Sequence, residues 1–323
     1  MNPLAVAEVL RPVLGTVTVA DLRTLTGGAS RTTWSFTAVS GAGSTPLILR
    51  CGPPDDVHAG MELEARVQSL AAAAGAPVPQ ILAADDSAAA LGSPYLICAA
   101  VAGETIVRRI LRGLDDAGRA QLLTQCAAAL AAIHRVDPAD AGLSPRDPLS
   151  QWRHQLDEIG DSTATFEWAL RWLERNRPPA TEPTLVHGDF RMGNLIVDIE
   201  HGTGLAAVLD WELVGCGERY EDLAWFCVRA WRFGAPPELA AGGLGPVEDL
   251  LRAYEREAGT ALDRETFRWW LVQATLQWGI ICRYQAHRHL SGQHPSVELA
   301  TIGRRVCENE WDLLELLDSA VDR

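Results

Sequence analysis

Between Thr184 and Glu212, three short apolar runs each adjoin a side chain able to hold a proton or a cation. Leu185-Val186 runs into His187-Gly188-Asp189, Asn194 opens Leu195-Ile196-Val197, and Val208-Leu209 ends on Asp210-Trp211-Glu212. Apolar runs this short, bounded by Gly, Asp and Asn, read as buried strands joined by tight turns. A turn after the first strand can present Asp189, while Asn194 begins the next strand and Asp210 ends its hairpin partner. A carboxylate beside a hydroxyl orients it and accepts its proton, and amide and carboxylate oxygens are ligands for hard cations such as Mg²⁺. Taken singly, Asp189 is a turn residue and Asp210 a strand cap. The order strand, His-Gly-Asp-x-x-x-x-Asn, strand, then strand-Asp joins the two functions that phosphoryl transfer to an alcohol requires.

The rest of the chain divides by period. Asn2-Pro3 starts a short opening helix. Strand alternation follows from Leu22 to Cys51, with Trp34, Phe36 and Ala38 on one face and a Gly41–Ser44 turn into Leu47–Arg50. Leu63, Val67, Leu70 and Ala74 mark one face of a helix that Gly75 ends. Short strands follow at Gln80–Ala84 and Tyr95–Ala100. After Gly103, helical spacing dominates, with Asp115 or Asp116 capping a long segment through Leu122, Cys126, Leu130 and Ile133. Apart from the central strands, the remainder is helical and rich in tryptophan. The expected architecture is therefore α+β and bilobal. A small antiparallel sheet with one helix (1–98) is joined by a hinge (99–103) to a larger, mainly helical lobe (104–323).

On the Leu185–Asp198 and Val208–Glu212 segments, the sequence resembles the aminoglycoside phosphotransferase superfamily, whose fold is that of the protein kinases. Leu49-Arg50-Cys51-Gly52-Pro53 looks like the subgroup related to the kinase-like domain of acyl-CoA-dehydrogenase fusion proteins. The resemblance implies Asp189 as the catalytic carboxylate, with Asn194 and Asp210 as magnesium ligands. It implies Mg-ATP as cofactor, with Gly28 and Ser30 in a loop over the phosphates, Arg50 on the phosphates and Glu64 as its acidic partner. It also implies that backbone at Ala99 and Val101 meets the adenine edge, with Val78 and Ile196 on either side of the ring. Asp222 matches a position that braces the catalytic loop. Two departures stand out. Arg50 occupies the place of the usual lysine, offering a planar fork instead of a point charge, and Gly217-Glu218-Arg219 stands where Gly-Asp-Pro is common.

The implied function is an ATP- and Mg-dependent transfer of the γ-phosphoryl group to a hydroxyl of a small molecule. The alternative is a nucleotide-binding pseudokinase with little or no turnover, suggested by Arg50. A protein substrate is disfavoured, because Trp211–Asp222 is too short for the usual activation segment.

A net charge of −14 argues against a nucleic-acid partner, because phosphate backbones need a basic surface. Acidity and the nearby Glu212 and Glu221 hint at a cationic acceptor. Seven scattered cysteines without a Cys-x-x-Cys pair suit reduced thiols in the cytoplasm. The start of the chain lacks the pattern of a signal peptide, and the apolar runs are too short for a membrane span. His287, His289 and His294 read as a solvated helix end. Trp269, Trp270 and Trp278 read as helix packing, with a pocket wall as the other role.

Overall fold

The computed structural model describes residues 1–25, 31–52 and 59–321. Its first part is a five-stranded antiparallel sheet of order β1-β2-β3-β5-β4. The strands are β1 (Thr18–Leu25), β2 (Thr32–Ser40), β3 (Gly43–Cys51), β4 (Ile81–Asp85) and β5 (Tyr95–Ala99). Alternation in β2 and β3 sets Phe36 opposite Leu47 and Trp34 opposite Leu49. That register puts one apolar face against α1 (Pro3–Leu14), whose Val6 and Leu10 are fully buried on it. Asn2 caps α1 by accepting the Leu4 N–H at 3.0 Å. The strand period begins at Thr18, before the expected Leu22, because Asp21 at φ +55° bulges β1 and hides the early alternation. On the other side lies α2 (Met61–Ala73), with Val67 and Ala71 buried.

Beyond β5 the chain is mostly helical: α3 (Val107–Gly113), α4 (Asp116–His134), α5 (Pro148–Ile159) and α6 (Ala164–Arg175). Asp115, not Asp116, caps α4, accepting the Gly118 N–H at 2.8 Å. Then come two strand pairs, β6 (Thr184–Val186) with β9 (Gly215–Gly217) and β7 (Leu195–Asp198) with β8 (Gly204–Val208). Five helices complete the described chain: α7 (Arg219–Cys227), α8 (Val247–Ala258), α9 (Arg264–Leu290), α10 (Val297–Gly303) and α11 (Val306–Val321). One continuous core joins α4, α6, α7, α8 and α9, and α2 contributes Val67 and Ala71 to it. This is the expected α+β arrangement, except that two helices, α1 and α2, pack with the sheet where one was expected. No described helix is long and apolar enough to cross a membrane. All seven cysteines are free thiols, and only Cys307 is exposed.

Candidate active site

The loop after β6 is shaped by its glycine and clamped from below. Gly188 sits at φ +81°, and a Cβ there would run into the backbone carbonyl of Leu213. Only glycine meets both demands. Asp222, fully buried on α7, accepts the N–H groups of His187 at 2.7 Å and Gly188 at 2.9 Å. The His134 ring of α4 donates to the same carboxylate at 3.1 Å and meets the Tyr254 hydroxyl at 2.9 Å. Burial alone would push the Asp222 carboxyl up. The His134 hydrogen bond, the neighbouring imidazoles and the His187 N–H outweigh it and hold the group below its ordinary value.

His187 orients the loop. Its Nδ1 accepts the Asp189 N–H at 3.2 Å, so its proton is on Nε2, which donates to Leu209 O at 3.0 Å. The neutral ring lies 4.7 Å from the centre of Trp211. Burial pushes its pKa down, the direction this tautomer requires.

Asp189 is held from three directions. Trp225 Nε1 donates to Oδ1 at 2.8 Å, Asn194 Nδ2 to Oδ2 at 2.7 Å, and Arg191 Nε reaches both oxygens at 2.9 and 3.1 Å. Asn194 Nδ2 also donates to the Asp189 carbonyl at 2.9 Å. With two acceptors fixing the amide nitrogen, Asn194 presents its oxygen elsewhere. Asn194 ends a 3₁₀ turn just before β7, one residue earlier than a strand position. Its carbonyl accepts the Leu209 N–H at 2.8 Å, one residue before Asp210. Asp210 lies beyond β8 at φ +68°, a strained backbone for a residue other than glycine.

Arg50, on β3, meets this centre from the sheet side. Its guanidinium donates to Glu64 at 2.9 Å and to Asp210 at 2.8 Å, with Glu212 at 3.9 Å. Desolvation disfavours its charge, but Glu64, Asp210 and Glu212 together hold its pKa above the ordinary value. Glu64 is fully buried, and it also pairs with Arg31. Burial pushes its carboxyl up against the pull of both arginines. Arg31 further contacts Glu212 at 3.6 Å and donates to Ala59 O at 2.7 Å.

The expected hinge closes the other end. The Ala99 N–H donates to Gln80 O at 2.9 Å and the Ala100 N–H to Pro46 O at 3.0 Å. At Gly103, φ is +143°, and a Cβ would lie 2.5 Å from Ile196 Cγ2. Val208 N–H donates to Pro77 O at 2.8 Å, and Ile196 pairs with Ala207, so β8 ties the Val78 segment to β7. Gly28 and Ser30 lie outside the described residues.

The sequence did not single out Arg31, His134, Arg191 or Tyr254. Nor did it single out Trp225, three residues beyond Asp222 on α7, although residues three apart along a helix share a face. The two acids behind the hint of a cationic acceptor are already engaged by arginines. Glu221 is buried and donated to by Arg146 at 2.6 Å, and Glu212 belongs to the Arg31–Arg50 cluster. Of the three tryptophans, Trp269 and Trp270 are core, while Trp278 lines a cavity.

Residues 21–270 match the phosphotransferase enzyme family model. The chain belongs to that family. Its relatives include acyl-CoA dehydrogenase family member 10 of Mus musculus, 28% identical over 82% of this chain and 27% of the relative. Family member 11 of Rattus norvegicus is 26% identical over 79% of this chain and 35% of the relative. The chain thus spans about a quarter to a third of these relatives' length. A Ralstonia eutropha protein assigned to the aminoglycoside phosphotransferases superposes with a TM-score of 0.81, at 21% identity and 98% coverage of both chains. A spectinomycin phosphotransferase solved with ADP and spectinomycin gives a TM-score of 0.65 at 13% identity, covering 96% and 98% of the two chains. An aminoglycoside 2'-phosphotransferase solved with GDP gives 0.64 at 11% identity, with 97% and 99% covered. The fold is that of the kinase-like phosphotransferases, and the likeness to acyl-CoA-dehydrogenase fusions drawn from Leu49–Pro53 is met by these relatives.

Proposed function

We propose that this chain transfers the γ-phosphoryl group of ATP, with Mg²⁺, to a hydroxyl of a small molecule. The observation that carries the reading is the carboxylate of Asp189. It stands on a loop clamped by Asp222 and is held by Trp225 on one oxygen and Asn194 on the other. A base fixed in this way orients an acceptor hydroxyl and takes its proton. The complexes of the structural neighbours with ADP or GDP support a nucleotide in the cleft.

The donor set fits a magnesium ion. The free end of the Asn194 amide is an oxygen, and the Asp210 carboxylate is about a third exposed. Among the described residues no three His, Cys, Asp or Glu side chains gather around a metal position. A pair of hard oxygen ligands with the remaining positions left to phosphate and water is how Mg²⁺ is commonly held. When bound, the ion neutralises charge on the β- and γ-phosphates. Arg50, whose fork suits phosphate, holds the triphosphate from the sheet side, while Glu64 keeps it in position. Ala99 offers its carbonyl and Val101 its backbone to the base edge, with Val78 and Ile196 on its two faces. Gly28 and Ser30 belong to the loop proposed to cover the phosphates.

A second reading, binding without turnover, is favoured by one contact: Arg50 occupies the carboxylate of Asp210. A thermal-shift screen with Mg-ATP and a library of hydroxylated metabolites supplies an acceptor. Single-turnover transfer to it is then compared between wild type and Asp189→Asn. A loss of about 10²–10⁴ in rate with Mg-ATP binding retained is expected. Equal rates would remove Asp189 from the chemistry, and ADP never formed with any acceptor would favour the second reading.

A further inference from the structure

A cavity of about 800 Å³ opens in the helical lobe, lined by Arg108, Arg229, Arg232 and Arg305. Small-molecule sites occupy about 300–1,000 Å³. Two observations tie it to Asp189. Trp225, which donates to Asp189, lies 5.3 Å from the ring of Trp231 in the cavity wall. Arg191, paired with Asp189, places its guanidinium 4.9 Å from the centre of the same Trp231 ring. The cavity wall is thus linked to the Asp189 carboxylate through Trp225 and Arg191.

The charge of this wall runs against that of the molecule. The chain carries −14 overall, yet the wall holds four arginines against two acids, Glu308 and Asp312. Both acids are already used. Asp312 accepts from Arg229 at 2.8 Å, and Glu308 pairs with Arg305 at 3.0 Å. Among the described residues Arg108 and Arg232 have no ion-pair partner. Burial and the adjacent Arg229 push the Arg232 guanidinium below its ordinary pKa, and the more distant pull of Asp312 and Glu315 offsets only part of this. The polar bookkeeping of the wall is also incomplete. Arg232 Nε, Trp231 Nε1 and Trp278 Nε1 are buried without a hydrogen-bond partner, three of six such side-chain atoms among the described residues. Trp231 and Trp278, 4.7 Å apart between ring centres, supply an aromatic face beside these charges.

We infer that the phosphoryl acceptor is an oxyanion, a hydroxyl-bearing molecule with an apolar or aromatic body whose carboxylate or phosphate is received by Arg232 and Arg108. This rests on the reading of Asp189 as the transfer centre. It opposes a polycationic acceptor, since ammonium groups would face four guanidinium groups in one cavity.

The test measures binding by calorimetry to the full chain in the presence of a non-hydrolysable Mg-ATP analogue. The probes are 4-(hydroxymethyl)benzoate, 4-(hydroxymethyl)phenyl phosphate, the neutral 4-(hydroxymethyl)benzamide and the cationic 4-(hydroxymethyl)benzylamine. At least one anion is expected to bind about tenfold or more tightly than the amide, the difference one charge-assisted hydrogen bond makes. Arg232→Gln should abolish that preference while Mg-ATP binds as before. Because Arg232 makes no ion pair, the variant is expected to keep its melting temperature, and Arg108→Gln gives an independent exposed position. Which anion binds better distinguishes a carboxylate acceptor from a phosphate one. Equal binding of anion and amide, a preference for the amine, or no measurable binding of either anion would overturn the inference with the transfer reading intact. Failure of Mg-ATP itself to bind would instead bring down that reading.

Discussion

Single side chains carry the argument furthest at the Asp189 loop. The His187 ring, neutral because its Nδ1 accepts from Asp189 and its Nε2 donates to Leu209, has its pKa lowered by burial. The folded protein therefore resists a proton that the unfolded chain accepts near pH 6.5. Stability from this group is complete above that value and falls as pH drops from 6.5 towards the depressed folded value, by at most about 1.4 kcal/mol per pH unit. Urea midpoints measured between pH 7.5 and 5 should fall across this window in wild type and fall less in His187→Gln. Parallel curves for the two proteins would show that the ring gains its proton as readily folded as unfolded. The placement of Asp189, Asn194 and Asp210 at strand boundaries was legible because their spacing is set within neighbouring strands. Arg31 and His134 were not. Their partners, Glu64 and Asp222, lie 33 and 88 residues away in sequence, and no local period encodes such a meeting.

Among the elements, α9 shows how packing overrides propensity. It runs from Arg264 to Leu290, buried on several sides, so its apolar pattern has no single stripe for sequence reading to follow. Midway stands Gly279, where a Cβ would lie 2.6 Å from Cζ of Phe166, a fully buried ring on α6. In an exposed helix, Gly→Ala gains about 1 kcal/mol. Here the added methyl must displace an aromatic ring in a close-packed core, at a cost of about 1–3 kcal/mol. Gly279→Ala should therefore have an equal or lower urea midpoint despite the better helix former, and Gly279→Ala with Phe166→Leu should recover part of the loss. A clear rise in the single variant would mean that the two helices stand farther apart than this. The strand β9 escaped the sequence for the opposite reason. Gly215-Cys216-Gly217 has three residues and no alternation, and only its pairing with β6 makes it a strand.

At the level of the whole molecule, the two lobes meet through the same groups that serve the site. Arg50 and Asp210 are 160 residues apart and bonded, and the Ala59 N–H donates to Glu212 O at 2.8 Å beside them. Part of the tie between lobes is thus made by Asp210, a proposed metal ligand, and by Arg50, a proposed phosphate binder. The lobe pattern was legible because strand and helix periods change near residue 100, whereas this sharing depends on how two distant segments face each other. One consequence follows for ligand-linked stability. Mg-ATP at about a hundred times its Kd should add about 2.7 kcal/mol to the folded state. In Arg50→Gln the free protein loses a tie and the bound protein loses a phosphate contact. The variant should melt lower without ligand and need a higher Mg-ATP concentration to reach the same upward shift. Differential scanning calorimetry across a Mg-ATP titration separates the two losses: the first appears in the ligand-free melting temperature, the second in the titration midpoint. A ligand-free melting temperature equal to wild type would show that the Arg50–Asp210 pair contributes nothing to joining the lobes, and an unshifted titration midpoint would place the phosphates away from Arg50.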